Sequence, residues 1–255
     1  MPRYEYRALL ACDIASSAGR GERRLQEIRG VLRSALAEAL GAAALDARDV
    51  TRVDTGDGSL LVAPAGLPKA ELLFPLLPEL RSRIRAHNRD AGADARLRVR
   101  AAVHAGEIRL DPDGTVSGAP FEALARLLDS APLRQATLAG TGGTPLAAIL
   151  SQHFYEETVG HGYEGLEADA FTAADVRVKE YAARAWLWYP GSPIGPRAGS
   201  GQDAGSGRDP GSGEQPAQPA QSAPRAVEQL VRATGNGTAF AVHRGNQYIR
   251  HNDRG

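Results

Sequence analysis

Asp54-Thr55-Gly56-Asp57-Gly58, read together with Cys12-Asp13-Ile14, decides how this chain folds. Asp57 stands between two glycines, with Val50 to Val53 before it and Leu60 to Val62 after it. That pattern is a tight strand-turn-strand unit with a carboxylate at its tip. Asp13 closes an apolar run over 6–12 that reads as a buried strand. Two aspartates at strand ends can jointly hold a hard divalent cation through oxygen. A phosphate-bearing substrate is the usual reason to build such a pair.

Outward from these landmarks, strands and helices alternate up to about residue 190. Leu25, Ile28, Leu32, Leu36 and Leu40 share one face of a helix predicted over 22–40. Residues 69–89 read as helical, and Pro75 and Pro78 predict that this helix is broken or starts late. Leu97, Val99, Ala101 and Val103 alternate along a strand over 96–105. Asp111-Pro112-Asp113-Gly114 turns a second strand pair, 107–110 with 115–117. Helices are predicted over 119–128 and 145–159, and strands over 175–178 and 183–189. Hairpins mixed with helices predict an α+β fold rather than a strictly alternating parallel sheet.

Composition divides the 255 residues into three parts: a domain over 1–190, a linker over 191–224 and a short tail over 225–255. The linker is rich in Gly, Ser, Pro, Gln and Ala, so it buries too little apolar surface to offset its conformational entropy and is expected to be disordered. In the tail, 226–233 is expected to be helical. Residues 238–243 and 246–251 are expected to pair around Arg244-Gly245, and a hairpin that small is expected to dock on a partner or stay mobile. Thirty basic and thirty acidic residues cancel, which argues against a nucleic-acid polymer or an acidic membrane as partner. Cys12 is the single cysteine, so no intrachain disulfide can form and a cytoplasmic location is expected. Residues 1–5 lack the apolar core of a signal peptide, and no run reaches the roughly 20 apolar residues of a membrane span.

Five segments, in order, resemble the class III nucleotidyl cyclase domain, the catalytic domain of adenylate and guanylate cyclases. Cys12-Asp13-Ile14-Ala15-Ser16-Ser17 and Gly56-Asp57-Gly58 are similar to its two metal motifs. Arg98-Val99-Arg100-Ala101-Ala102-Val103-His104-Ala105-Gly106 resembles its Arg-hydrophobic-Gly-hydrophobic-His-x-Gly strand. Val116-Ser117-Gly118, with the helix through Ala125-Arg126-Leu127-Leu128, resembles the segment carrying a transition-state arginine. Val178-Lys179 resembles a phosphate-contacting segment. The resemblance covers about 7–189. It implies a ferredoxin-like βαββαβ core with additional strands, active as a head-to-tail dimer.

The resemblance also implies a chemistry. The ribose 3′ oxygen of a nucleoside triphosphate attacks its own α-phosphate, releasing pyrophosphate. Asp13, Asp57 and the Ile14 carbonyl would hold two divalent cations, Mn2+ or Mg2+. Arg126 would stabilise charge on the α-phosphate, and Lys179 would neutralise the terminal phosphates. Metal site and arginine would come from different protomers, and because this chain carries both, a homodimer with two equivalent sites is expected.

The chain departs from the purine-reading pattern. Val53 stands where a base-reading lysine is expected, Thr115 near the position of its polar partner, and Glu122 near that of a ribose-orienting asparagine. Losing lysine and aspartate removes the hydrogen bonds that select adenine. This is similar to the pyrimidine cyclases of Pycsar antiphage systems, which make cyclic UMP or cyclic CMP for a separate effector. UTP is expected before CTP. A catalytically silent cyclase-like domain, an interaction protein working through its tail, and a purine cyclase remain alternatives. Other residues have plainer readings. Cys12 and His104 are expected to be structural, and His153 and His161 lack metal-ligand spacing. Trp186 and Trp188 share a strand face that packs in the core or at a dimer contact. Residues 140–144 read as an ordinary loop because no Gly-Lys-Ser/Thr ending is present.

Overall fold

In the computed structural model, residues 1–17, 19–46, 48–139, 144–191, 241–243 and 246–248 are described. The linker expected over 191–224, except Gly191, and the helix expected over 226–233 lie outside these residues, as do 140–143 of the expected loop.

Strand β1 (Arg3–Ile14) is the axis of the molecule. Its middle alternates between two cores: Leu10, Cys12 and Ile14 join one, while Leu9 and Ala11 join the other. By the same alternation Asp13 points to the second face. On one edge β1 pairs antiparallel with β3 (Gly58–Val62), which pairs with β2 (Thr51–Asp54). On its other edge it pairs along its whole length with β4 (Val99–Leu110).

β4 continues through Gly106, where a break between two strands was expected. A side chain at Gly106 would press to 2.6 Å of Pro120 Cγ, so the glycine serves close packing of a helix rather than a turn. The far edge of β4 is shared. Its first half pairs in parallel with β6 (Leu146–Ser151), and its end pairs with β5 (Val116–Ser117). β6 leads on to β8 (Tyr181–Trp188) and β7 (Phe171–Val178). Two short strands, β9 (Ala241–His243) and β10 (Asn246–Tyr248), pair with each other, and Tyr248 pairs with Ser117 of β5.

Helices cover both faces. α1 (Glu22–Ala42) and α2 (Leu76–Asp90) lie on one, with Ile28, Leu32 and Leu36 against Leu77, Leu80 and Ile84. α2 does start late: a single turn over Lys69–Leu72 precedes it, and Pro75 stands at its N-terminal edge. α3 (Ala119–Leu128) and α4 (Ala131–Ala139) lie on the other face, burying Phe121, Leu124, Leu127 and Leu133. α4 was not anticipated. No described helix is long and apolar enough to cross a membrane.

The helix expected over 145–159 is a correction. Leu146–Ser151 is a central strand, buried at every residue, and only Gln152–Glu156 (α5) is α-helical. A strand covered on both faces carries a continuous apolar run, and such a run has no period that separates it from a buried helix. Ser151 makes the switch between the two: its hydroxyl accepts the Phe154 amide at 3.1 Å and caps α5.

His104 sits under this cap, with Nδ1 2.8 Å from Ser151 Oγ. Burial, with a smaller contribution from His153, pushes its pKa down to about 4. The native state therefore holds the ring neutral while the unfolded chain takes up a proton below the usual value near 6.5. This contribution to stability is complete above that value and falls as the pH drops toward 4. Urea unfolding at pH 7 and at pH 4.5 should show a larger acid loss for the native chain than for His104→Asn. Equal losses would remove this role for His104. His153 has 49% of its side chain exposed and lies 2.6 Å from the Tyr6 hydroxyl. Trp188 is buried, and Trp186 stacks on Tyr155 at 3.8 Å between ring centroids.

Candidate active site

The turn between β2 and β3 is built by three local contacts. Asp54 Oδ1 accepts the Gly56 amide at 2.9 Å, Thr55 N–H donates to the Gly58 carbonyl at 3.1 Å, and Gly56 takes a φ of 89°. That left-handed backbone suits glycine. Gly58 is needed for another reason: a Cβ there would lie 2.0 Å from the Cys12 carbonyl oxygen. The β2–β3 turn thus presses directly on the end of β1. Asp13 stands opposite Gly58, and Ile14 N–H donates to the Asp57 carbonyl at 3.0 Å. The two aspartates anticipated as a pair are therefore neighbours in space.

Their surroundings differ. Asp57 Oδ2 accepts the Ser17 hydroxyl at 2.8 Å. Asp13 stands opposite Arg100 across β1 and β4 and is gripped by its guanidinium, Nε to Oδ1 at 2.8 Å and Nη2 to Oδ2 at 2.5 Å. Both side chains are largely enclosed, 14% exposed for Asp13 and 17% for Arg100. Burial raises the Asp13 pKa above the ordinary carboxylate value. The Arg100 fork opposes that shift, and the negative charges of Asp57 and Asp129 add to it. Ile14 is buried, and so is Cys12, whose thiol burial pushes up to about 12.

A second group forms on the same sheet face. Arg126, near the end of α3, has its Nη2 3.4 Å from Glu122 Oε1 and 3.3 Å from Glu180 Oε1. Its Nε is buried without a hydrogen-bond partner among the described residues. Glu180 follows Lys179 in the β7–β8 turn, where Lys179 takes a φ of 53°. Arg126, Glu122 and the Lys179 turn therefore belong together, as a group separate from Asp13 and Asp57. No hydrogen bond or ion pair of Arg126 reaches either aspartate. Asp129, just past α3, pairs with Arg134 at 2.5 Å and acts on Asp13 through its charge. Val53 is 3% exposed and packs in the core behind the turn. Thr115 lies in the β4–β5 turn, where its amide donates to Asp113 Oδ1 and its carbonyl accepts from Asp111.

Arg100 is a functional candidate to which the sequence pattern alone assigns no role. Its position one strand over from Asp13, in the alternation that carries Ala102 to the same face, was the available clue. Hard cations fit the carboxylate pair: both aspartates offer oxygen donors, and Mg2+ or Mn2+ is held by one or two carboxylates when phosphate and water complete the shell. Among the described residues no cluster of three or more His, Cys, Asp or Glu forms a closed metal cage. A cation reaching Asp13 has to share its oxygens with Arg100 or displace the guanidinium.

No family model matches the chain. No curated protein matches it at a significant level. Solved structures do. An adenylate/guanylate cyclase/hydrolase from Silicibacter pomeroyi superposes with a TM-score of 0.53 at 22% identity, covering 74% of this chain and 99% of the other. The guanylyl cyclase Cya2 gives 0.52 at 15% identity, covering 77% and 96%. A non-canonical dimeric guanylyl cyclase domain of the RhoGC fusion protein from the aquatic fungus Blastocladiella emersonii gives 0.50 at 14%, covering 73% and 95%. The mixed α+β sheet and its helical layers are thus the fold of class III adenylate and guanylate cyclase catalytic domains.

Proposed function

We propose that this chain is a nucleotidyl cyclase that converts a pyrimidine nucleoside triphosphate, UTP before CTP, into its 3′,5′-cyclic monophosphate and pyrophosphate. The observation that carries the proposal is the apposition of Asp13 and Asp57 at the seam of β1 and β3. The charge of Asp57 bears on the enclosed Asp13, and a cation that also binds phosphate oxygen would complement both carboxylates.

In the reaction the 3′ hydroxyl loses its proton, its oxygen bonds to the α-phosphorus, and the bond from that phosphorus to the bridging oxygen breaks. Divalent cations on Asp13, Asp57 and the Ile14 carbonyl, Mn2+ or Mg2+, would supply charge neutralisation at the attacking and leaving oxygens. Arg100, which holds Asp13, would lose that partner if a cation took the carboxylate, and its guanidinium could then pair with phosphate oxygen. Arg126 carries the uncommitted Nε–H that an α-phosphate oxygen would accept. Lys179, in the same group, would neutralise the terminal phosphates. Arg126 lies apart from the aspartates of its own chain, which supports a head-to-tail homodimer in which each arginine completes the partner's site.

Base choice rests on what Val53 and Thr115 do not offer. Val53 is apolar and buried, and the Thr115 backbone is spent on its own turn. A purine edge finds no charged reader at either position. In this reading the cyclic product is a messenger for a separate effector in antiphage defence. A catalytically silent nucleotide-binding domain is the second reading, favoured by the Arg100 grip on Asp13 and by the two glutamates that hold Arg126.

The deciding experiment incubates the purified chain with ATP, GTP, CTP and UTP in the presence of Mn2+ and identifies products by mass. Cyclic UMP, with less cyclic CMP, is expected. Cyclic AMP or cyclic GMP alone would refute the base assignment, and four unchanged triphosphates would leave the silent reading in its place.

A further inference from the structure

About half of the arginines of the described chain pair with carboxylates, and five that do not are gathered in one place. Arg20, Arg85, Arg89, Arg96 and Arg98 line a single open cavity of about 690 Å³, and none of the five makes an ion pair among the described residues. Three elements bring them together. The C-terminal half of α2 supplies Arg85 and Arg89, the segment entering β4 supplies Arg96 and Arg98, and Arg20 stands just before α1. Arg20 is fixed in place, donating to the carbonyls of Ser16, Asp94 and Arg96 at 3.0, 3.1 and 2.8 Å. Arg96 donates to the Ala91 carbonyl. Among the described residues no acidic side chain lines the cavity. The nearby Asp94 is held by Arg24 at 2.8 Å. Asp90 ends α2, beside Arg89 in sequence.

Like charges gathered around a concavity repel one another and disfavour the fold unless an anion joins them. Guanidinium forks match phosphate oxygens in pairs. The chain as a whole has no net charge, and the group forms a hollow of small-ligand size rather than a stripe along the surface. Both features favour a compact polyanion over a nucleic acid or a membrane. We propose that this cavity is a second anion site that binds the diphosphate or triphosphate chain of a small molecule. It is distinct from the carboxylate pair. The arginines of α2 belong to the α1–α2 face of the sheet, whereas Asp13 points to the α3 face. The two regions meet in the loop after Ile14, where Ser16 lines the cavity and Ser17 donates to Asp57. An anion in the cavity therefore bears on the loop that orients Asp57.

The test is calorimetric titration of the full chain with inorganic pyrophosphate and with tripolyphosphate, in EDTA so that no divalent cation bridges ligand to carboxylate. The double variant Arg85→Ala/Arg89→Ala, altered only on the exposed surface of α2, should bind at least about tenfold more weakly, since it removes two charged donors to the anion. Arg23→Ala, an exposed arginine elsewhere on α1, should bind as the native chain does. Asp13→Asn/Asp57→Asn should also retain binding, so the outcome stands whether or not the chain proves to be a cyclase. Absence of binding by the native chain, or affinity indifferent to Arg85 and Arg89, would overturn the site. So would phosphatidylserine vesicles or single-stranded RNA displacing tripolyphosphate, because a larger partner would then own the surface.

Discussion

Asp57→Asn is expected to reduce cyclic-nucleotide formation by about 10³-fold, because a carboxylate that fixes a catalytic cation supports several kcal/mol of transition-state charge. The fold should survive. Asparagine has the same shape, its amide oxygen can still accept the Ser17 hydroxyl, and the main-chain bond from Ile14 N–H to residue 57 does not involve the side chain. Removing one of two neighbouring negative charges also relieves the repulsion that raises the Asp13 pKa. The melting temperature should therefore be equal to that of the native chain or slightly higher. Activity lost together with thermal stability would mean that Asp57 is structural. Activity retained would exclude it as a cation ligand.

Arg100→Ala should have its largest effect on stability. It strips a largely enclosed carboxylate of both its guanidinium hydrogen bonds and leaves Asp13 facing Asp57 and the field of Asp129. Breaking one half of such a pair costs about 3 kcal/mol. In a domain of this size that lowers the melting temperature by roughly 6–12 °C. Two further measurements make the case specific. Adding Asp13→Asn to Arg100→Ala should recover part of the loss, since no unpaired charge then remains. Adding Mn2+ should recover part of it in the single variant, since a cation binding only the native state stabilises it. An unchanged melting temperature in Arg100→Ala would show that the pair is not compensating a buried charge.

Both predictions depend on residues that the sequence treats differently. Asp57 was legible because glycines on either side of an aspartate, between two strand-like segments, leave few structures open other than a turn. Arg126, Glu122 and Lys179 were singled out one by one, but nothing local says that Glu180 rather than an aspartate neutralises Arg126. That contact joins α3 to the β7–β8 turn, far apart in the chain. The fork from Arg100 to Asp13 is equally hidden, because it depends on the antiparallel register of β1 and β4. The strand over Leu146–Ser151 was misread for a related reason: its burial comes from helices on both sides, and its own residues carry no alternation to report it.

Local elements are written in the residues themselves: the amphipathic stripe of α1, the alternation along β1 and β4, the glycine-bound turn at Asp57 and the late start of α2. Each follows from side-chain period, backbone freedom or proline, which act over a few neighbouring residues. Tertiary structure alone decided which charges meet. It closed Arg100 on Asp13, set Glu122 and Glu180 on Arg126, and gathered five arginines around one hollow without an acid among them. Such encounters are fixed by strand register and helix placement, and Coulomb interactions depend on distance through space rather than along the chain.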